Sequence, residues 1–237
     1  MSGHSHFHNI KLKKGAEDAK KSKMFSKLSK EISIASKEGG PDLAFNPKLR
    51  SVVEKAKGLN MPNDSIEKGI KKGSGGLEGV SYEEFLMEAY GPDNIAVLIE
   101  GITDNKNRSL NEIKLLITQR GGKFVNEGAI RWMFERKGVI GINEINSKED
   151  AELIAIEAGA EDISWEENNL VVYTKLEDIE KTKKELEEKE LKVDFGELEW
   201  VPNETVSVDE ETNEKCLKFF EALEEHEDVS NIYSNLL

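Results

Sequence analysis

The chain has 237 residues, of which 34% are charged and 37% hydrophobic, and its formal net charge at pH 7 is −14. This length accommodates one large domain or two to three small ones, and recurring periodic apolar blocks exclude a disordered chain. The sequence has no pattern typical of a secretion signal and no apolar run near the roughly 20 residues that cross a bilayer, so we expect a cytoplasmic protein without membrane contact. Its single cysteine, Cys216, predicts that the chain has no internal disulfide and no cysteine-rich metal site.

The first predicted element is an amphipathic helix from about residue 16 to residue 37. Its apolar stripe consists of Phe25, Leu28, Ile32 and Ala35, and its basic stripe of Lys20, Lys23, Lys27 and Lys30. The two stripes have the same spacing and are offset by five positions, which is about 140° around the axis at roughly 100° per residue. We therefore expect the four lysines to project into solvent, away from the packed face.

Two shorter helices are predicted next. The first begins with Asn46 as its N-cap and Pro47 at its first position, a typical start for a helix. The second follows Asn63-Asp64, with Lys68, Lys71 and Lys72 turned outward. The run Gly73-Ser74-Gly75-Gly76 then predicts a flexible hinge.

The charges are distributed unevenly between this N-terminal part and the rest. Residues 1–76 contain 16 Lys/Arg and 8 Asp/Glu, a net charge of +8, whereas the other 161 residues contain 17 Lys/Arg and 39 Asp/Glu, a net charge of −22. This asymmetry favours contact with a polyanion through the basic end, with an uneven distribution of solvated charges as the alternative. The candidate nucleic-acid-binding residues are Lys11, Lys13, Lys14, Lys20, Lys23, Lys27, Lys30, Lys68, Lys71 and Lys72.

Beyond the predicted hinge, the pattern changes to strands alternating with helices. Strands are predicted at 82–90, 94–102, 129–134, 139–142, 162–165, 170–174, 193–200, 205–208 and 229–233, and helices at 109–120, 148–158, 176–189 and 213–225. These elements can be grouped into two split βαβ sets, although periodicity alone does not choose the division.

The predicted fold class is therefore α+β, with an N-terminal three-helix domain followed by two ferredoxin-like α/β domains. The basic helical domain covers residues 1–76. A discontinuous α/β domain combines residues 77–135 with residues 203–237, and an inserted α/β domain covers residues 136–202. A basic protein is the expected partner of these acidic domains.

No residue pattern typical of an enzyme occurs in the sequence. His4, His6 and His8 alternate near the N-terminus, where solvation or phosphate contact is favoured over weak metal binding. His226 follows a predicted helix, and none of the four histidines has the spacing of a metalloprotease or a catalytic triad. We therefore expect no catalytic residues, no cofactor and no metal site.

Two polar segments of the α/β part are candidate binding loops. Residues 103–108 join a predicted strand to a helix whose cap is expected at Asn107 or Ser109, and Asn107 and Arg108 could contact an anion beside the helix amides. A turn rich in capping residues is the favoured alternative. Residues 134–138 are predicted to form a polar turn between strands.

Several blocks of the sequence, in this order, resemble the YebC/PmpR family. They are Met1-Ser2-Gly3-His4-Ser5, Asn9-Ile10-Lys11, Asp18-Ala19-Lys20, Lys23-Met24-Phe25-Ser26-Lys27-Leu28, Asn60-Met61-Pro62-Asn63-Asp64, Gly75-Gly76-Leu77-Glu78-Gly79, Tyr90-Gly91-Pro92, the loop 103–108 and the segment 134–138. The resemblance extends over almost the whole chain and implies a helical N-terminal domain and two α/β domains, the middle one completed by the C-terminal residues.

The resemblance also implies a function without enzyme activity. Members of this family are described as DNA-binding transcriptional regulators, and others as translational activators or factors that act on stalled ribosomes. The chain is thus expected to bind nucleic acid, either DNA or ribosomal RNA, through its N-terminal domain. The lysine stripe suits phosphate contacts in both cases, but no predicted helix presents a clear set of base-reading side chains.

Overall fold

The computed structural model describes residues 18–76 and 81–237, which form an α+β protein, as predicted. The seven α-helices of these residues are α1 (Asp18–Gly39), α2 (Pro47–Gly58), α3 (Asn63–Gly73), α4 (Lys106–Gln119), α5 (Lys148–Glu157), α6 (Ile179–Glu188) and α7 (Glu210–Glu224). The eight strands are β1 (Glu83–Tyr90), β2 (Ala96–Thr103), β3 (Lys123–Val125), β4 (Phe134–Asn143), β5 (Asp162–Glu166), β6 (Asn169–Thr174), β7 (Lys192–Pro202) and β8 (Val229–Ser234).

The three N-terminal helices share one apolar core, and the side chain of Asn46 fixes the turn between the first two. Its Oδ1 accepts a hydrogen bond from the Leu49 amide at 3.0 Å, and its Nδ2 donates to the carbonyls of Ala35 and Gly40 at 2.8 and 2.7 Å. The predicted N-cap of α2 is thus confirmed. The core consists of Leu28, Ile32, Ala35, Leu49, Val53, Ala56, Met61 and Ile66.

Helices α1 and α3 approach closely because small residues line their contact. The Ser33 hydroxyl donates to the Gly69 carbonyl at 3.0 Å, and a Cβ at Gly73 would lie 2.1 Å from the Ser33 carbonyl oxygen. Gly73 therefore belongs to a packed helix end, and the prediction of a hinge is wrong at this residue. The amide of Gly76 donates to the Lys71 carbonyl at 2.9 Å and closes the helix.

The first sheet has the strand order β3-β1-β2-β8. Strand β1 lies antiparallel to both β2 and β3. Residues Ala96–Ile99 of β2 are all buried, which explains the continuous apolar run of this central strand. Helices α4 and α7 contact each other beside the sheet, and α1 contacts β2.

The second sheet has the strand order β5-β6-β4-β7, with α5 between β4 and β5 and α6 between β6 and β7. Each helix thus connects two strands that are separated by a third, which is the predicted ferredoxin-like arrangement. The helices and one face of the sheet enclose a core formed by Ile140, Ile142, Ala151, Ala155, Ala158, Leu170, Val172, Ile179 and Leu186.

Three predicted elements differ from the structure. Of the predicted strand 129–134, only Phe134 lies in a strand, as the first residue of β4. Residues 129–133 are not a strand, because the Glu88 carboxylate accepts hydrogen bonds from the amides of Gly128, Ile130 and Arg131 and holds them in a loop. Residues 134–138 are not a turn but the first half of β4, paired with β7. In the segment 205–208, Val206 forms only an isolated bridge with Leu236.

The described chain divides into two compact units. One contains residues 18–76, 81–131 and 208–232, and the other contains residues 132–207 and 233–237. The three-domain division with the boundaries given above stays a prediction. Every helix within residues 18–76 and 81–237 is too short or too polar to cross a membrane.

Candidate nucleic-acid interface

The basic stripe of α1 is exposed only in part. Lys23 is exposed to solvent, and Lys20 lies within α1, although its side chain is outside the described residues. Lys11, Lys13 and Lys14 precede the described part of the chain altogether. Their role in binding nucleic acid therefore stays a prediction.

The other two lysines of the stripe are turned onto the protein. The Lys30 ammonium lies 2.5 Å from Oδ1 of Asp228 and donates to the Glu227 carbonyl at 3.0 Å. The Lys27 ammonium donates to the Glu224 carbonyl at 2.5 Å. These carbonyls are at or just beyond the C-terminus of α7, where the helix dipole attracts cations. The prediction that Lys27 and Lys30 project freely into solvent is therefore wrong, because this side of α1 is packed against a second element.

Asp228 is the centre of this contact, and its side chain is only 1% exposed. Its Oδ2 accepts hydrogen bonds from the Ser109 hydroxyl at 2.5 Å and the Thr103 hydroxyl at 3.2 Å, and Arg108 Nη2 donates to it at 3.1 Å. Burial alone would raise the pKa of this carboxyl. The hydrogen bonds from Lys30, Ser109 and Arg108 outweigh burial and lower the pKa to about 2.

The predicted anion contact at Asn107 and Arg108 lies in the first turn of α4. The N-cap is Asn105, whose Oδ1 accepts a hydrogen bond from the Arg108 amide, so the predicted caps at Asn107 and Ser109 are wrong. The Arg108 guanidinium is held by Asp228 at 3.1 Å and by Asp104 at 2.8 Å. The hydrogen bond to Asp228 is the main cause of its raised pKa. The Asn107 side chain is exposed, and its anion contact stays a prediction.

The three predicted lysines of α3 have different surroundings. Lys68 is exposed, and Lys71 is exposed with an ion pair of 3.7 Å to Glu67, the weak kind formed between helix neighbours. Lys72 donates to the Tyr82 hydroxyl at 2.8 Å, and its ammonium lies 4.1 Å from the centroid of the same ring. Lys68 and Lys71 are thus accessible to a phosphate, whereas the Lys72 ammonium is bound to the side chain of Tyr82.

Residues that the sequence prediction missed include two exposed cations and one central anion. Lys21 on α1 and Lys57 in the last turn of α2 are exposed. Lys21 belongs to the same lysine-rich segment as Lys23, a signal that could have identified it. Asp228 had no comparable signal, because Lys30 and Ser109 are 198 and 119 positions away in the chain.

The described residues contain no group of three or more His, Cys, Asp and Glu side chains that could hold a metal ion. His226 contacts a carboxylate, with its Nε2 3.2 Å from Glu112. The alternating histidines His4, His6 and His8 lie outside the described residues.

Two family models match the chain. The model of the TACO1/YebC protein N-terminal domain matches residues 5–76, and that of the TACO1/YebC second and third domain matches residues 82–236. The chain belongs to the TACO1/YebC family. This finding confirms the family that the sequence blocks indicated.

Similar proteins of this family match the chain over nearly its full length. A protein of Halothermothrix orenii is 46% identical over 239 residues, covering 99% of this chain and 94% of that protein, and one of Kosmotoga olearia is 46% identical over 237 residues with the same coverage. Both are named "Probable transcriptional regulatory protein". The crystal structure of a conserved hypothetical protein from Aquifex aeolicus is 41% identical and covers 98% of this chain and 96% of its own, with a TM-score of 0.89.

Proposed function

We propose that this TACO1/YebC protein is a non-enzymatic regulator of gene expression that binds nucleic acid through its N-terminal helices. The observation that carries the proposal is the set of exposed lysines on these helices, within a segment whose net charge is +8. The names of its relatives support a regulatory role. DNA is the proposed ligand, in keeping with those names.

The lysines suit a backbone-binding mode. Lys21, Lys23, Lys57 and Lys68 are exposed, and none of them forms an ion pair with residues 21–76 or 81–237, whose side chains the structure describes. A lysine acts on a phosphate as a point charge and provides affinity without sequence information. The remaining 161 residues, with a net charge of −22, would repel a polyanion and restrict its contact to the helices.

A second candidate is a ribosome-associated translation factor that binds structured RNA. It is favoured by the exposed surface of α3, where the charged side chains are those of Asp64, Glu67, Lys68 and Lys71, and where neither arginine nor glutamine occurs and Asn63 is the single asparagine. Recognition by shape and backbone charge, as in double-stranded RNA binding, requires no such side chains. Sequencing the nucleic acid crosslinked to the protein in cells separates the two candidates, since promoter DNA supports the first and ribosomal RNA the second.

The test of the binding surface is a fourfold charge reversal with a matched control. We expect Lys21→Glu, Lys23→Glu, Lys57→Glu and Lys68→Glu together to weaken binding to a DNA duplex at least about 100-fold. The control reverses four other exposed lysines, Lys181, Lys184, Lys215 and Lys218, on helices α6 and α7. Equal losses in both variants would contradict the proposed surface.

A further inference from the structure

The Asp228 carboxylate lies among groups that are typical of a phosphate site. An ammonium from Lys30, a guanidinium from Arg108 and two hydroxyls from Thr103 and Ser109 surround its two oxygens. Arg108 and Ser109 belong to the first turns of α4, where the helix dipole favours anions. The chain therefore places its own carboxylate where the donors would equally suit a phosphate oxygen.

The cations in this contact continue the exposed part of α1. Lys23, Lys27 and Lys30 recur at i, i+4 and i+7, so they lie along one face of the helix. Lys23 is exposed, whereas Lys27 and Lys30 are bound to the C-terminal end of α7 and to Asp228. The lysines on this face of α1 thus differ: Lys23 is open to solvent, whereas Lys27 and Lys30 are bound to groups of the protein itself.

We propose that Lys27 and Lys30 are phosphate-binding groups that Asp228 and the α7 carbonyls occupy in competition with nucleic acid. The ligand of this latent site is a backbone phosphate, and Asp228 acts as its intramolecular substitute. The contact between α1 and the Asp228 cluster lowers the affinity of the free protein for polyanions. When a polyanion displaces Asp228 and the carbonyls, Lys27 and Lys30 become available to bind two of its phosphates. The inference rests on the proposed function, because it assigns further residues to the same basic surface.

The competition predicts opposite effects of one substitution on stability and on affinity. Asp228→Asn removes the charge that binds Lys30 and so weakens the contact in which Lys27 is held by the Glu224 carbonyl. The substitution thus lowers the stability of the fold while it makes these two cations available. A residue with a purely structural role would lower stability without increasing the affinity for nucleic acid. The combination of a less stable fold and tighter binding therefore distinguishes the two roles.

The experiment measures binding of the full chain to a fluorescent DNA duplex and a fluorescent RNA hairpin over a series of salt concentrations. We expect Asp228→Asn to bind about 5- to 10-fold more tightly than the wild type. A plot of the logarithm of its association constant against the logarithm of the salt concentration should be steeper by about 1 to 2, because two phosphate contacts are added. The matched control is Glu227→Gln, which removes one exposed negative charge next to the cluster. We expect this control to change affinity less than twofold.

A second pair of variants assigns the gain to the two lysines. Adding Lys27→Ala and Lys30→Ala to Asp228→Asn should abolish the increase in affinity and return the salt slope to the wild-type value. If Asp228→Asn does not fold, Ser109→Ala removes one hydrogen bond from the same carboxylate and should increase affinity about two- to threefold. A gain equal to that of Glu227→Gln, a gain that persists without the two lysines, or no gain in Ser109→Ala would overturn the inference.

These outcomes are separate from those of the proposed function. If the wild-type protein binds neither DNA nor RNA, the proposed function fails. If the wild type binds through its exposed lysines and Asp228→Asn gives no gain, only the latent site is wrong.

Discussion

Lys30 Nζ and Asp228 Oδ1 lie 2.5 Å apart, although the two residues are separated by 198 positions in the chain. The Lys30 side chain is 12% exposed and that of Asp228 is 1% exposed, so this ion pair is shielded from solvent. It connects helix α1 to the residue that precedes β8. A cation that the sequence predicts to bind phosphate is therefore also part of the tertiary structure.

The low pKa of Asp228 predicts a loss of stability in acid. Its pKa is about 2 in the folded protein against 3.8 as its ordinary value, so it stabilises the fold above pH 4, and this contribution is lost as the pH falls toward 2. The shift corresponds to about 2 kcal/mol of unfolding free energy. Lys30, Arg108 and His226 are the other ionisable residues that form hydrogen bonds with Asp228.

Urea unfolding at pH 5 and pH 2.5 measures this contribution. The wild type should lose about 1.5 kcal/mol more between the two pH values than Asp228→Asn, which has no carboxyl at this position, because part of the contribution remains at pH 2.5. Equal losses in the two proteins would show that Asp228 titrates at its ordinary pKa in the folded state.

The close contact of α1 and α3 predicts that Gly73 cannot be enlarged. A Cβ at this position would lie 2.1 Å from the Ser33 carbonyl oxygen, so Gly73→Ala must separate the helices and should lower the unfolding free energy by about 1 to 3 kcal/mol. The matched control is Gly58→Ala at the end of α2, where no atom lies within 4 Å of the added carbon. Thermal unfolding of both variants tests the packing, and a neutral effect of Gly73→Ala would refute it.

The Glu88 carboxylate predicts a second stability effect in the α/β part. This buried side chain accepts hydrogen bonds from the amides of Gly128, Ile130 and Arg131 at 2.6, 2.8 and 3.1 Å. Glu88→Gln replaces a carboxylate oxygen by a donor group and should destabilise the fold by about 2 to 3 kcal/mol. Glu83→Gln changes an exposed glutamate on the same strand and should have little effect; similar losses in both would argue against the role of Glu88.

The parts of the fold that the sequence predicted are those with local signals. Asn46 and Pro47 mark the start of α2 within two residues, and the apolar spacing of α1 is repeated over three turns. The second sheet also follows from the alternation of strands and helices along one continuous segment. By contrast, β3 has only three residues, too few for a periodic pattern.

The parts that could not be predicted depend on contacts between distant residues. Helical periodicity places Lys27 and Lys30 opposite the apolar stripe, but it does not show that α7 and Asp228 lie on that side. Similarly, Ile130 belongs to an apolar run that resembles a strand, but the Glu88 carboxylate, 42 positions earlier, accepts a hydrogen bond from its amide in a loop. The candidate site was thus predicted as a charge pattern, and the structure separates its accessible lysines from its occupied ones.

The most direct test of the account is the salt dependence of nucleic-acid binding by the wild-type protein. The dissociation constant for a DNA duplex and for an RNA hairpin is measured between about 50 and 200 mM salt. If the four exposed lysines contact phosphates, the logarithm of the association constant (the reciprocal of the dissociation constant) falls linearly with log salt with a slope of about −3 to −4, because each phosphate contact contributes about −0.9 on DNA. An affinity that does not change over this range would contradict the account.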